Sequence, residues 1–148
     1  LLLSDMQMLK DNIMLKIEVP QDLPKITANS QQIQQVFLNI ISNARYALNQ
    51  KYPDINENKM LDISGEKVTT DGRTHTRIIF KDYGLGIPAG MRDKVTDPFF
   101  TTKPLGQGTG LGLSISSGII SKHEGRLIVE SVEGEFTKVI IDLPVIDP

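Results

Sequence analysis

The chain has no cysteine and no tryptophan among its 148 residues, and only two histidines. Disulfides, zinc-thiolate sites, cysteine nucleophiles and a histidine-rich metal centre are thereby excluded, and a reducing compartment fits. No run of about 18 apolar residues exists, so no membrane-spanning helix is expected. The leucines at positions 1–3 lack the basic and apolar regions of a signal peptide. The expected location is cytoplasmic, whether or not a longer parent is membrane-anchored. A net charge of -2 without a long basic run argues against a surface built for nucleic acid. Any polyanionic ligand must therefore be held locally. The length fits one domain able to bury a core without staples, and the apolar start without Met suggests a piece of a longer protein.

What the chain does have is organised around residues 82–113. Two glycine clusters, Asp82-Tyr83-Gly84-Leu85-Gly86-Ile87 and Gly106-Gln107-Gly108-Thr109-Gly110-Leu111-Gly112-Leu113, flank a polar segment too long for an ordinary connector. Long loops of this kind are usually functional.

Hydrophobic periodicity places the elements around it. Residues 1–10 carry Leu2, Met6 and Leu9 at helical spacing and read as the end of a helix entering from upstream. Residues 13–19 alternate apolar and polar like a half-buried strand. Asn29, with Gln32 three residues on, predicts the N-cap of a helix to about Gln50, whose apolar arc runs through Ile33, Val36, Phe37, Ile40, Ile41, Ala44, Ala47 and Leu48. Residues 60–69 and 74–82 predict a hairpin about Asp71-Gly72. Residues 88–96 read as a short helix or two, residues 111–122 as a helix ended near Gly125, and residues 126–132 and 138–143 as two more strands. The sum is about five strands and three substantial helices.

Asn39 and Asn43 stand one helical turn apart at the rim of the apolar arc, where an amide reaches a cleft. They are also consistent with simple polar flankers. An amide oxygen is nonetheless a hard ligand that suits Mg²⁺. Asp82 has two readings, a turn former at a strand end or a carboxylate that accepts a hydrogen bond from a ligand amino group, with Gly84 and Gly86 letting a ring approach. Gly108, Gly110 and Gly112 before a helix form either a flexible turn or a phosphate cradle of backbone N–H groups. No Gly-Lys-Ser/Thr follows and no strand runs directly into them, which excludes the commonest nucleotide loops. Arg45 reads as a surface residue, Tyr46 as facing the Asn39 side, and His75 and His123 as surface or helix-capping residues.

Four signals occur in one order: Asn39-Ile40-Ile41-Ser42-Asn43-Ala44, Asp82-Tyr83-Gly84-Leu85-Gly86, Asp97-Pro98-Phe99-Phe100-Thr101-Thr102-Lys103, and Gly106 to Leu113. Together they closely resemble the N, G1, F and G2 boxes of the sensor histidine kinase ATP-binding domain, in the superfamily that includes gyrase B, Hsp90 and MutL. The resemblance implies an α+β, two-layer sandwich: a mixed, mostly antiparallel five-stranded sheet with three helices on one face, residues 1–10 belonging to an upstream dimerisation helix and residues 11–148 to the catalytic domain.

By the same resemblance, Asn43 would bind Mg²⁺, with Asn39 beside it. Asp82 would receive the adenine of ATP or ADP, helped by Gly84, Gly86, Ile87 and, through water, Thr137. Residues 92–107 would form a lid, with Phe99 and Phe100 as anchors and Thr101, Thr102 and Lys103 near the phosphates. Backbone N–H groups of Gly108, Thr109, Gly110, Leu111, Gly112 and Leu113 would hold the phosphates. Gyrase-like ATPases carry a general-base glutamate where Asn39 stands, and an amide takes no proton from water. Phosphoryl transfer to a histidine on a separate dimerisation domain is therefore expected over hydrolysis. The implied partners are that domain, a second copy in a homodimer and, indirectly, a response regulator receiver. The competing expectations are a non-catalytic nucleotide-sensing or docking module and a gyrase- or Hsp90-like ATPase.

Overall fold

The computed structural model describes Met8, residues 10–94 and residues 112–145. Its elements, in chain order, are β1 (Met14–Glu18), α1 (Ser30–Lys51), β2 (Met60–Thr70), β3 (Arg73–Asp82), a 3-10 helix (Ala89–Lys94), α2 (Gly112–Lys122), β4 (Arg126–Val132) and β5 (Phe136–Pro144). The strands form one sheet in the order β1-β2-β3-β5-β4. Only the β1–β2 pairing is parallel; the other three are antiparallel. The sheet is thus mixed and five-stranded.

Strand periodicity decides which face is buried. Leu61, Phe80, Val139, Ile141 and Leu143 point to one side and meet Val36, Ile40, Ile41, Ala44 and Leu48 of α1 and Ile119 and Ile120 of α2 in a single core. Met8, helical and 2% exposed, joins the same core, and the chain leaves it through Asn12, whose φ is 60. The Asn29 side chain caps α1 by accepting the Gln32 N–H at 3.1 Å, so that end obeys the expected pattern. The far end stops before Pro53, which lacks the N–H a further turn would need.

The expectation of three substantial helices on one face is corrected: the described residues delimit two α-helices, besides the helical Met8 and Lys10. Residues 89–94, expected as a short helix or two, form one 3-10 helix, begun by Met91 N–H on Pro88 O at 2.8 Å. The segment contains Gly90 and little apolar surface, so no amphipathic face rewards an α-helix. The end of α2 differs in detail as well. Glu124 takes the left-handed conformation (φ 60), while the Gly125 N–H closes on Ile120 O at 2.9 Å. Gly125 is required by space, since a Cβ there would fall 2.4 Å from Asp142 O.

The opposite face of the sheet is charged. Arg77 grips Asp142 with two bonds of 2.7 and 2.9 Å, and Arg126 adds a longer contact of 3.6 Å. These guanidinium groups, Arg77 foremost, hold the Asp142 carboxyl below its usual range against the effect of burial.

Candidate functional site

The last inward position of β3 is Asp82, 6% exposed. Its Oδ1 accepts the Gly84 N–H at 3.0 Å. Burial pushes its carboxyl up to about 7, against the lowering effects of that amide and of the Lys51 charge. A carboxylate held out of water without a neutralising ion pair is costly, so its persistence here points to a ligand donor.

The strand register sets its neighbours. Asp82 lies opposite Leu61 on β2 and Thr137 on β5, and Thr137 lies opposite Ser131 on β4. Ser131, 4% exposed, is a hub that periodicity did not single out. Its Oγ accepts the Ile87 N–H at 2.8 Å and donates to Phe136 O at 2.7 Å. A hydroxyl has one proton, so the Thr137 hydroxyl is the donor in their 3.1 Å contact. Thr137 therefore turns lone pairs toward its other surroundings. The clue to Ser131 was a serine in phase with Leu127 and Val129 on the inward face of β4, but only the register shows what it meets.

The loop after β3 leaves no room for side chains at its two glycines. A Cβ on Gly84 would lie 2.8 Å from the Cβ of Ala47 and from Asp82 Oδ1. A Cβ on Gly86, whose φ is 71, would lie 2.2 Å from Val132 O.

Helix α1 runs along this site with residues four apart. Asn39 donates from Nδ2 to Gly112 O at 3.4 Å and to Ser116 Oγ at 3.3 Å. A carbonyl only accepts, so the amide nitrogen must face α2. Asn43 follows, half-buried and hydrogen-bonded or otherwise engaged. Ala47 then meets Gly84, and Lys51 donates to Gly134 O at 2.6 Å. At about 1.5 Å per residue this ridge spans roughly 18 Å.

At one end of that ridge lies the start of α2, where the first backbone N–H groups have no intrahelical partner. Gly112 and Leu113 belong to that turn, and the Leu113 side chain packs on the core. Phe99, Phe100, Thr101, Thr102, Lys103, Gly108, Thr109, Gly110 and Leu111 lie outside the described residues, as does most of the expected lid.

Other expectations are resolved away from the site. Arg45 is paired with Asp11, which also accepts from Asn49 at 3.2 Å; it fastens the segment before β1 to α1. His75 is about 23 Å from Asp82 along β3, at roughly 3.3 Å per residue. At the far end of α2, His123 accepts the Asn29 N–H at Nε2 (3.1 Å), so its Nδ1 carries the proton given to Ile119 O at 2.8 Å. A depression of about 280 Å³ opens on the uncovered face of the sheet, among Lys16, Asp62, Lys81 and Tyr83, and does not include Asp82.

The buried strand-end carboxylate, the crowded glycines, the asparagine ridge and the helix start define the class: an α+β domain whose candidate site residues are strung along one helix. Residues 28–147 match the model of the histidine kinase-, DNA gyrase B-, and HSP90-like ATPase family. The chain belongs to that family, and it is an ATP-binding catalytic domain of the sensor histidine kinase type.

Its relatives agree. It is 35% identical over 134 residues to sporulation kinase E of Bacillus subtilis, covering 90% of this chain and 16% of that protein. It is 37% identical over 133 residues to sensor protein kinase WalK of Staphylococcus aureus, covering 84% and 30%. Among solved structures, the catalytic domain of histidine kinase ThkA superposes with a TM-score of 0.78 at 31% identity, covering 97% of this chain and 88% of that one. The chain thus spans only 16% to 24% of the first two curated relatives.

Proposed function

We propose that this chain binds Mg·ATP and presents its γ-phosphoryl to a histidine on a separate helical dimerisation domain of the same two-component kinase. The observation that carries the reading is Asp82: an almost fully buried carboxylate at a strand end, with Gly84 and Gly86 clearing the space beside it. The site's parts fit the ligand in chemical type. Asp82 accepts from the adenine amino group, and the lone pairs of Thr137 receive from a bridging water. Backbone N–H groups of residues 108–113 take the phosphates. Among the described residues no three His, Asp or Glu side chains form a cation cage. Asn43 suits a Mg²⁺ that takes its remaining ligands from phosphate and water.

When bound, Mg·ATP supplies the phosphoryl group and the cation that neutralises its charge. The protein's own share is positioning. Asn39 faces α2 with its amide nitrogen and offers no base for water, which favours transfer over steady hydrolysis. In its parent the domain would work in the cytoplasm, within a homodimer, with a receiver domain accepting the phosphoryl afterwards; among the described residues no helix is long and apolar enough to cross a membrane.

The test is Mg·ATP binding by the chain and by Asp82→Ala and Asn43→Ala. Loss of binding in the first and of Mg²⁺ dependence in the second is expected. Unchanged behaviour in both would sink the assignment. Rapid ATP turnover by the chain alone would favour a gyrase-like activity instead.

A further inference from the structure

The strongest unassigned feature sits at the end of the α1 ridge. Lys51 Nζ donates to Gly134 O at 2.6 Å, and the N–H of the same Gly134 donates to Leu85 O at 2.6 Å. Leu85 lies between the two crowded glycines of the loop that follows Asp82. One residue of the β4–β5 turn therefore joins the last turn of α1 to the adenine-side loop. The turn can present both groups this way because Gly134 has φ 80, a left-handed conformation that residues with a Cβ rarely adopt. The loop is also seated on the same hairpin through Ile87 N–H on Ser131 Oγ and the contact of Gly86 with Val132 O.

We propose that Lys51 is a positioning residue for nucleotide binding: by clasping Gly134 it fixes the loop of residues 84–87 against Asp82. This rests on the reading of Asp82 as the adenine acceptor. The simpler role for a lysine here is to complement the helix dipole, which would affect stability alone. Two facts favour the clasp. Lys51 is half-buried, with its ammonium 5.3 Å from the Tyr52 ring centroid as well as on Gly134. Among the described residues it is also the charge that acts on Asp82; the cross-strand neighbours Leu61 and Thr137 are uncharged.

The experiment compares the 148-residue chain with Lys51→Met, Lys51→Arg and Asp82→Ala, using calorimetric titration of Mg·ADP from pH 6 to 8.5 and thermal unfolding as a control for folding. Lys51→Met is expected to remain folded, to weaken binding at least fivefold at neutral pH, and to move the midpoint of its pH dependence upward. Lys51→Arg is expected to restore affinity to within twofold, because the guanidinium supplies both donor and charge. A Lys51→Met variant that binds within twofold of the parent at every pH, while Asp82→Ala loses binding, overturns the clasp and leaves the site reading standing. Unchanged binding in Asp82→Ala removes the site reading and the proposal with it.

Discussion

Ala47 and Gly84 touch so closely that a methyl group added at 84 would lie 2.8 Å from the Ala47 Cβ and equally close to its carbonyl carbon. The second contact is with backbone, which cannot rotate away. Gly84→Ala is therefore expected to displace the loop from α1, costing about 1–3 kcal/mol, and to weaken nucleotide binding at least tenfold. Chemical denaturation and calorimetry check the two parts. The relief expected from Ala47→Gly is partial, since the carbonyl carbon remains.

Asp82 carries a stability cost that its proposed role requires. Its folded-state pKa is raised to about 7, so the folded chain holds more protons than the unfolded chain between about pH 4 and pH 7. Stability is then greatest below the unfolded value and falls as pH rises through about 7. Asp82→Asn can still accept the Gly84 N–H and carries no charge. It is expected to raise stability at pH 8 by roughly 2–4 kcal/mol, at about 1.36 kcal/mol per pKa unit, while abolishing adenine binding. Urea unfolding at pH 4 and pH 8 would show a gain that is small at the lower pH and develops as pH rises.

The same carboxyl makes binding depend on pH. In the proposed site the adenine amino group is received by the ionised form, whose fraction rises from about a tenth at pH 6 to about nine tenths at pH 8 for a group near 7. Affinity for Mg·ADP should increase about tenfold over that interval, with proton release on binding at pH 6. A flat profile measured in two buffers of different ionisation enthalpy would contradict it.

Ser131→Ala removes the shared partner of Ile87, Phe136 and Thr137. Three polar groups then lose a hydrogen bond where water has little access, and the expected loss is about 2–3 kcal/mol. Because Thr137 no longer needs to donate to position 131, its hydroxyl can rotate, and ATP affinity should fall as well. Equilibrium unfolding and binding on the same sample separate these effects.

On the uncovered face, Arg77→Met leaves Asp142, 3% exposed, with only the longer Arg126 contact. Breaking a buried pair from one side is expected to cost about 3 kcal/mol, without changing nucleotide affinity. Asp142 is held below its ordinary range, so the lost stability is present above about pH 4 and disappears as pH falls through the folded-state value. Acid titration of the two proteins should bring their stabilities together.

Much of this was legible because it is local. The alternation in β1, the Asp71-Gly72 turn with φ values of 53 and 74, and the Asn29 cap each follow from a few adjacent residues. Asp82, Gly84 and Gly86 were readable as a strand end followed by small residues. What was not legible depended on contacts distant in sequence. Arg45 looked like a surface residue because Asp11, its partner, lies in another segment; Ser131 and Lys51 acquire meaning only from the register of β4 with β5 and from the turn that joins them. Residues 88–96 were readable as a short helix or two, and residues 89–94 form one, of the 3-10 kind.

The ridge of Asn39, Asn43, Ala47 and Lys51 acts as a ruler. Asn39, Ala47 and Lys51 each engage a different piece of the molecule, so the register of the helix, rather than any single side chain, sets the distance between the start of α2 and the β4–β5 turn. One residue inserted or deleted between positions 39 and 51 would turn every later mark by about 100° and aim it at the wrong neighbour. Single substitutions along α1 can be graded in effect; changes in its length cannot.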